Sequence, residues 1–358
     1  MGTIKTRHAI AIGVLFSIGS LIISLGSDNR YLWQTLVISF FLSLIILYVY
    51  QRLLINYPNM TIFEIIKLKY NNIIGKIVII LYMLYLLYIS VTIIYTFIDF
   101  ITTINQSDFL SKEFIMLINM ILLGYVLKTS LENIARFSQV SFIVIVIMII
   151  LLFLAGFTDI DIQNLYPLTI PKNNNTIQNI FNLIVQPFVE MTILFNVFCK
   201  MKNNKVKKNI FFITSFISLI FLLVISIETI GLLGKDYTQY LNFPYYSSIS
   251  CINMSKIVIK IETLSLIIIY FSSFIKLVFV LHSLISGFNS ITNLKRKYYY
   301  PFILLIHVFA MVAFNNIYEL KQLKYYYNYY AIFLRILIPL LIFIKAKPKD
   351  NKNIIVIV

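Results

Sequence analysis

Ten stretches of this chain are apolar enough to lie in a lipid bilayer, and that constrains the fold more than any single motif. They cover roughly residues 8–26, 32–50, 73–98, 114–127, 140–157, 177–199, 210–233, 257–286, 298–317 and 328–346. A window of about 20 apolar residues marks a spanning helix. The fourth stretch is short for a span and the eighth is long. The chain is 60% hydrophobic and 12% charged, and a soluble domain carries about twice that charged fraction. The sequence therefore predicts an all-α integral membrane protein with about ten transmembrane helices. No soluble domain interrupts the spans, so residues 1–358 read as a single polytopic membrane domain.

The net charge of +16 raises nucleic acid as a partner, but its distribution speaks for topology. With the amino terminus inside, the inner segments hold 20 of the 30 basic residues: Lys5, Arg7, Arg52, Lys67, Lys69, Lys76, Lys128, Arg136, Lys200, Lys202, Lys205, Lys207, Lys208, Lys295, Arg296, Lys297, Lys345, Lys347, Lys349 and Lys352. The outer segments hold eight: Arg30, Lys112, Lys172, Lys235, Lys256, Lys260, Lys321 and Lys324. That excess is the positive-inside pattern, and it predicts both termini cytoplasmic. The charged head MGTIKTRHAI and the apolar run after it read as an uncleaved first span, because SLGSDNR is a poor cleavage site. Cys199 and Cys251 fall on opposite faces and cannot form a disulfide with each other. The inner stretch 51–72 carries Thr61 and Glu64 at capping-box spacing, opening a short amphipathic helix. The outer stretch 234–256 is long enough to form a partly ordered lid.

Ten spans divide into two halves of five, about 8–157 and 177–346, and an odd count makes the second half enter from the opposite face. Such inverted repeats belong to transporters, in which the first helix of each half is often broken near the midplane. Span 1 carries Gly13 and Gly19-Ser20, and span 6 carries QPFVE with Pro187. Both glycine and proline weaken a helix interior, so each half has a weak point at corresponding depth. The expectation is a five-plus-five inverted repeat with spans 1 and 6 broken.

Ionisable residues at bilayer depth are costly unless paired or wetted. Glu190 lies near the middle of span 6, three residues after Pro187, and can face backbone groups freed by the break. Glu262 and Lys276 share span 8. At about 1.5 Å per residue they stand about 21 Å apart, too far to pair, yet they fall on one helix face. Lys276 reads as a functional group or as half of a buried pair. Glu228 in span 7 and Arg335 in span 10 read as partners or structural anchors, and Asp99 as interfacial. Tyr82, Tyr85, Tyr88 and Tyr95 recur at helical spacing on span 3; packing is the simplest account, with Tyr88 or Tyr95 available to line a cavity. His282 and His307 are single, and no metal site is expected. No paired-carboxylate motif, nucleophile elbow or phosphate-binding glycine loop is present, so the chain is not expected to be an enzyme and no cofactor is implied.

Several short motifs occur in a telling order: IGS in span 1, YPNMTIFEI after span 2, IIGK opening span 3, and SLENIARFSQ between spans 4 and 5. QPFVE in span 6 follows, then FPYYSS, KIE and FIK around span 8. With these the chain resembles the B subunit of spore germinant receptors, a branch of the amino acid–polyamine–organocation transporter superfamily. It departs from that family's usual pattern at Gln186, where Tyr is common, and at Lys260, where Arg is common. A proline is also missing after the GS of span 1. The resemblance implies a place in the spore inner membrane, a midplane site for a small nutrient such as an amino acid, and two partners, an A subunit and a C-subunit lipoprotein. Carried onto matching positions, it implies a site made by Gly19, Ser20, Pro187, Phe188 and Glu190, with Glu262 and Lys276 from span 8; Tyr95 joins them as a cavity-lining candidate. Freed amides would hold a carboxylate and freed carbonyls an ammonium. The alternative on the same fold is a proton-coupled amino acid transporter with Glu190 as the proton carrier. The Glu132–Arg136 pair reads as a surface pair or as a partner contact.

Overall fold

The structure, a computed structural model, describes residues 4–104, 111–171, 173–202, 205–252, 261–292, 299–314 and 316–344. The orientation-marking residues Lys172, Lys256, Lys260, Lys295, Arg296, Lys297, Lys345, Lys347, Lys349 and Lys352 lie outside them. Among the described residues each of the ten apolar stretches contains a helix: α1 (Thr6–Leu21), α2 (Leu32–Asn56), α4 (Asn72–Ile104), α5 (Lys112–Lys128), α6 (Leu131–Gly156), α7 (Asn174–Phe198), α8 (Ile210–Leu233), α10 (Glu262–Ile291), α11 (Tyr299–Val312) and α12 (Ile317–Ile344). Shorter helices sit between spans, among them α3 (Ile62–Lys69) and α9 (Pro244–Ser250). Among the described residues, eight helices are long and apolar enough to cross a membrane; α5 and α11 are shorter. Phe41, Ile45, Tyr125, Val140 and Leu154 point outward, as expected of a lipid-facing surface. The protein is a multi-pass integral membrane protein.

Two helices begin earlier than hydropathy indicates, and both carry side-chain caps. Ser130 Oγ accepts from the Asn133 amide, so SLENIAR forms the first turns of α6 rather than a loop. Glu132 and Arg136 pair there at 2.7 Å on the exposed face. Asn316 Oδ1 accepts from the Glu319 amide and starts α12 at Ile317. Its first turns, YELKQLKYYYNYY, are too polar for a lipid-facing reading because several of them face an internal cavity. The expected capping box of α3 is present: Thr61 N–H donates to Glu64 Oε2 at 2.6 Å, and Glu64 N–H donates to Thr61 Oγ1 at 3.3 Å. Ile62, Phe63, Ile65 and Ile66 then turn inward beneath the bundle.

Both expected breaks occur, in one case displaced. Span 6 breaks at Gln186 (φ −135°, ψ 115°), directly before Pro187, because a proline ring clashes with α-helical geometry in the residue preceding it. In span 1 the α-helix runs through Gly13 and Gly19 and ends at Leu21 (φ −124°), followed by a 3₁₀ turn, Ile22–Ser24. Gly19 therefore serves close approach, and the break lies just beyond it. A Cβ at Gly19 would stand 2.3 Å from the Ser272 carbonyl oxygen of α10, so the α1 and α10 backbones are in direct contact there. Helix α1 is the centre of the bundle, packed against α6, α8 and α10.

One end of the bundle is sealed. Lys207 Nζ donates to the Cys199 and Met201 carbonyls at 2.9 and 3.0 Å. Gln51 bonds both the Lys207 carbonyl and the Phe211 amide, and Asn196 Oδ1 accepts from the Ile62 amide at the start of α3. At the other end, the 234–252 stretch packs against the bundle through α9 and contributes Asn242 and Phe243 to the rim of the cavity.

Gly19→Ala is expected to destabilise the protein by about 1–3 kcal/mol through overpacking against backbone that cannot yield. Gly75→Ala, whose added Cβ would meet neighbours no closer than 3.6 Å, is expected to be neutral or mildly stabilising. Melting of the two purified variants in detergent checks the pair.

Candidate functional site

Between α1, α4, α7, α10 and α12 lies a cavity of about 500 Å³, within the range of small-molecule sites. Its mouth is at the unsealed end, among Asp28, Asn175 and Gln178; its floor is the pair of helix breaks. The polarity of the mouth comes from amides. Asn182, Asn179, Asn242 and Asn328 line it, and Asn328 Nδ2 donates to Asn182 Oδ1 at 2.8 Å across α12 and α7. Lys321 of α12 reaches the loop after span 1, at 3.0 Å from Asp28 Oδ2 and 2.9 Å from Ser27 Oγ. Midway down, Tyr327 stacks on Tyr85 and Tyr88 of α4, at centroid distances of 5.2 and 3.4 Å.

Among the described residues the floor holds three buried charges. Glu190 Oε2 and Lys276 Nζ are 2.9 Å apart, both side chains almost wholly buried. The pair joins the broken α7 to α10, and the carboxylate faces the opening made by Pro187. Beside it is Arg335, fully buried on α12. Its position follows from the local sequence. Pro339, four residues on, has no N–H to give the Arg335 carbonyl, so the helix loosens into a π-turn over Phe333–Leu337. Tyr50 Oη of α2 donates to that carbonyl at 3.0 Å instead. The guanidinium lies over the Tyr85 ring, 4.2 Å from its centroid, and none of its nitrogens has a hydrogen-bond partner among the described residues.

The two breaks are tied to each other. Gln186 Nε2 donates a short hydrogen bond to the Ser20 carbonyl. One carbonyl near the α1 break is thus bonded by the side chain that opens α7.

The matched family model is described as "Spore germination protein" and covers residues 3–320. The chain belongs to that spore germination family. A relative within it, spore germination protein KB of Bacillus subtilis (strain 168), is 24% identical over 365 residues, covering 98% of this chain and 96% of the relative. Among solved structures, a Na⁺-coupled sialic acid symporter in a substrate-bound, outward-open state is similar at a TM-score of 0.60. The likeness covers 94% of this chain and 74% of the symporter at 12% identity. At that identity it shows the fold alone: this spore germination family member is built like a secondary transporter.

Of the residues singled out from sequence, Gly19, Ser20, Glu190 and Lys276 line the cavity. Pro187 and Phe188 stand behind the wall, with Phe188 edge-on to Phe40 of α2 at 5.6 Å. Tyr95 lies off the cavity, packed on Phe314 at 5.1 Å, whereas Tyr85 and Tyr88 face it. Glu262 is at the first turn of α10, accepting from Tyr246 Oη at 3.3 Å. Glu228 and Arg335 are not partners: neither Glu228 oxygen has a hydrogen-bond partner among the described residues, and Glu228 is buried beside Gly156, away from the cavity. Hydropathy gave no reason to single out Gln186 or the amides of α7 and α12. For Arg335 a signal existed: an arginine four residues before a proline in an apolar helix.

Removing one member of a buried ion pair strands the other charge and costs about 3–5 kcal/mol. Lys276→Met and Glu190→Gln should each lower the melting temperature sharply, Glu190→Gln the more because it leaves Lys276 and Arg335 as two buried cations with no carboxylate beside them. The double variant should recover most of that loss. Additive losses in the double variant would show that the two side chains act independently.

Proposed function

We propose that this protein is the nutrient-sensing membrane subunit of a spore germination receptor. A small nutrient, an amino acid foremost, enters the cavity and settles between the broken helices. Binding there favours one arrangement of the two halves, about 8–157 and 177–346, taken as an inverted repeat. That bias passes to an A subunit and a C-subunit lipoprotein. The observation that carries the reading is the cavity itself: in a chain of the spore germination family, it runs from one open end to the buried Glu190–Lys276 pair at the two breaks. A ligand can shift such an equilibrium only by its difference in affinity for the two states, and a floor made of breaks on two helices is well placed to differ between them. In the spore inner membrane, with both termini cytoplasmic, the mouth faces outward.

The runner-up is a proton-coupled amino acid transporter of the same fold. The likeness to a symporter speaks for the shared fold and not for transport. The ion pair favours the sensor: a Glu190 carboxylate neutralised by Lys276 at 2.9 Å does not need a proton to exist at this depth.

Spores lacking this gene are expected to stop releasing dipicolinic acid in response to one nutrient class, across a panel of amino acids, sugars and nucleosides, and to regain release when the gene is restored. Normal release throughout the panel, with accumulation of an amino acid against its gradient in vesicles carrying the protein, would replace the sensor with the transporter.

A further inference from the structure

The charges lining the cavity do not balance locally. Asp28 is met by Lys321 at 3.0 Å and Glu190 by Lys276 at 2.9 Å. The remaining cation is Arg335, wholly buried, facing the cavity floor with all three guanidinium nitrogens unbonded among the described residues. An unpaired charge at bilayer depth is expensive, and the Tyr85 ring beneath it returns only part of that cost. The side chain is nonetheless held in place. The missing N–H of Pro339 and the Tyr50 hydroxyl fix its backbone, and Tyr85 fixes the plane of its guanidinium. A guanidinium so positioned presents a fork of parallel N–H donors that matches a carboxylate through two bonds.

We infer that Arg335 is the anion-recognising residue of the cavity, and that the ligand carries a carboxylate which completes the charge balance of the floor. The inference rests on the sensor reading for its biological setting but concerns binding alone. It moves the carboxylate from the freed amides of the broken helices to a side chain on α12. It also separates ligand classes: free amino acids and other small carboxylates fit, whereas uncharged sugars and nucleosides leave the guanidinium stranded. The Glu190–Lys276 pair beside it is free to meet a polar or cationic group on the same molecule. Because α12 contributes the carboxylate clamp while α1 and α7 contribute the breaks, a ligand held this way bridges helices from both halves of the chain.

The test uses the full-length protein in lipid nanodiscs at constant ionic strength. The probes are free L-amino acids and simple carboxylates, each beside its primary amide, with glucose and inosine as uncharged probes. At least one acid is expected to raise the melting temperature while its amide, glucose and inosine do not. Arg335→Gln should raise the half-maximal concentration of that acid about 10- to 100-fold, and Arg335→Lys should fall between. Stabilisation by no acid, equal stabilisation by the amide, or a response to the uncharged probes alone would each overturn the inference. So would an unchanged concentration dependence in Arg335→Gln. If Arg335→Gln does not fold, the wild-type acid–amide comparison and Arg335→Lys decide. Acid-selective binding in nanodiscs together with normal dipicolinic acid release from spores lacking the gene would retire the sensor reading and leave this one standing.

Discussion

The Glu190–Lys276 ion pair is the contact around which the rest of this membrane domain is arranged. Neither group could be carried to this depth alone. Glu190 depends on Pro187 to open α7 toward the cavity, and Lys276 depends on α10 lying close enough to α1 and α7 for its ammonium to reach 2.9 Å from the carboxylate. That closeness in turn requires Gly19, where the α1 backbone touches the α10 backbone at Ser272. A substitution at Gly19 thus acts on the ion pair without touching it.

A second set of contacts converts two separate helix defects into one site. A broken helix in hydrocarbon must find partners for its freed backbone groups. Here the Gln186 side chain, placed at the opening of α7, bonds the Ser20 carbonyl of α1. The opening is bounded by Tyr85, Tyr88 and Tyr327, and by a ring of asparagines toward the mouth. The opposite end is closed by Lys207, Gln51 and Asn196, which spend their polar groups on backbone. One end of the bundle therefore opens on the cavity and the other is closed by polar contacts to backbone.

Part of the lining of the candidate site was legible from residue type and depth. Pro187 marked a weak point in span 6 because a proline disfavours helical geometry in the residue before it, and Glu190 and Lys276 stood out as charges in oil. The rest was hidden for specific reasons. Tyr95 and Tyr88 lie on one stripe of α4, both half-buried, and only the packing of Tyr95 against Phe314 separates it from the cavity-facing Tyr88. Gly19 looked like a flaw in its helix and is a contact point. Lys321, Tyr327 and Asn328 lowered the hydropathy of the start of α12 for the same reason they matter, since they line the cavity.

The sequence alone determined the solvent, the helical class and the number of apolar segments, because a run of about 20 apolar residues has few other solutions in water or lipid. It also marked where α7 is weakest and where α3 starts, since proline sterics and a capping box act over three or four residues; packing decided that the helix opens at Gln186 before Pro187 and stays closed at Ile338 before Pro339. What only tertiary structure decided is who meets whom. Glu190 and Lys276 are 86 residues apart, and no local rule pairs them. Glu228 and Arg335 look equally suited to each other in sequence, yet the fold puts one in a buried corner and the other at the cavity floor. Pairing at bilayer depth is set by which helix faces are packed together, and that is a property of the assembled bundle.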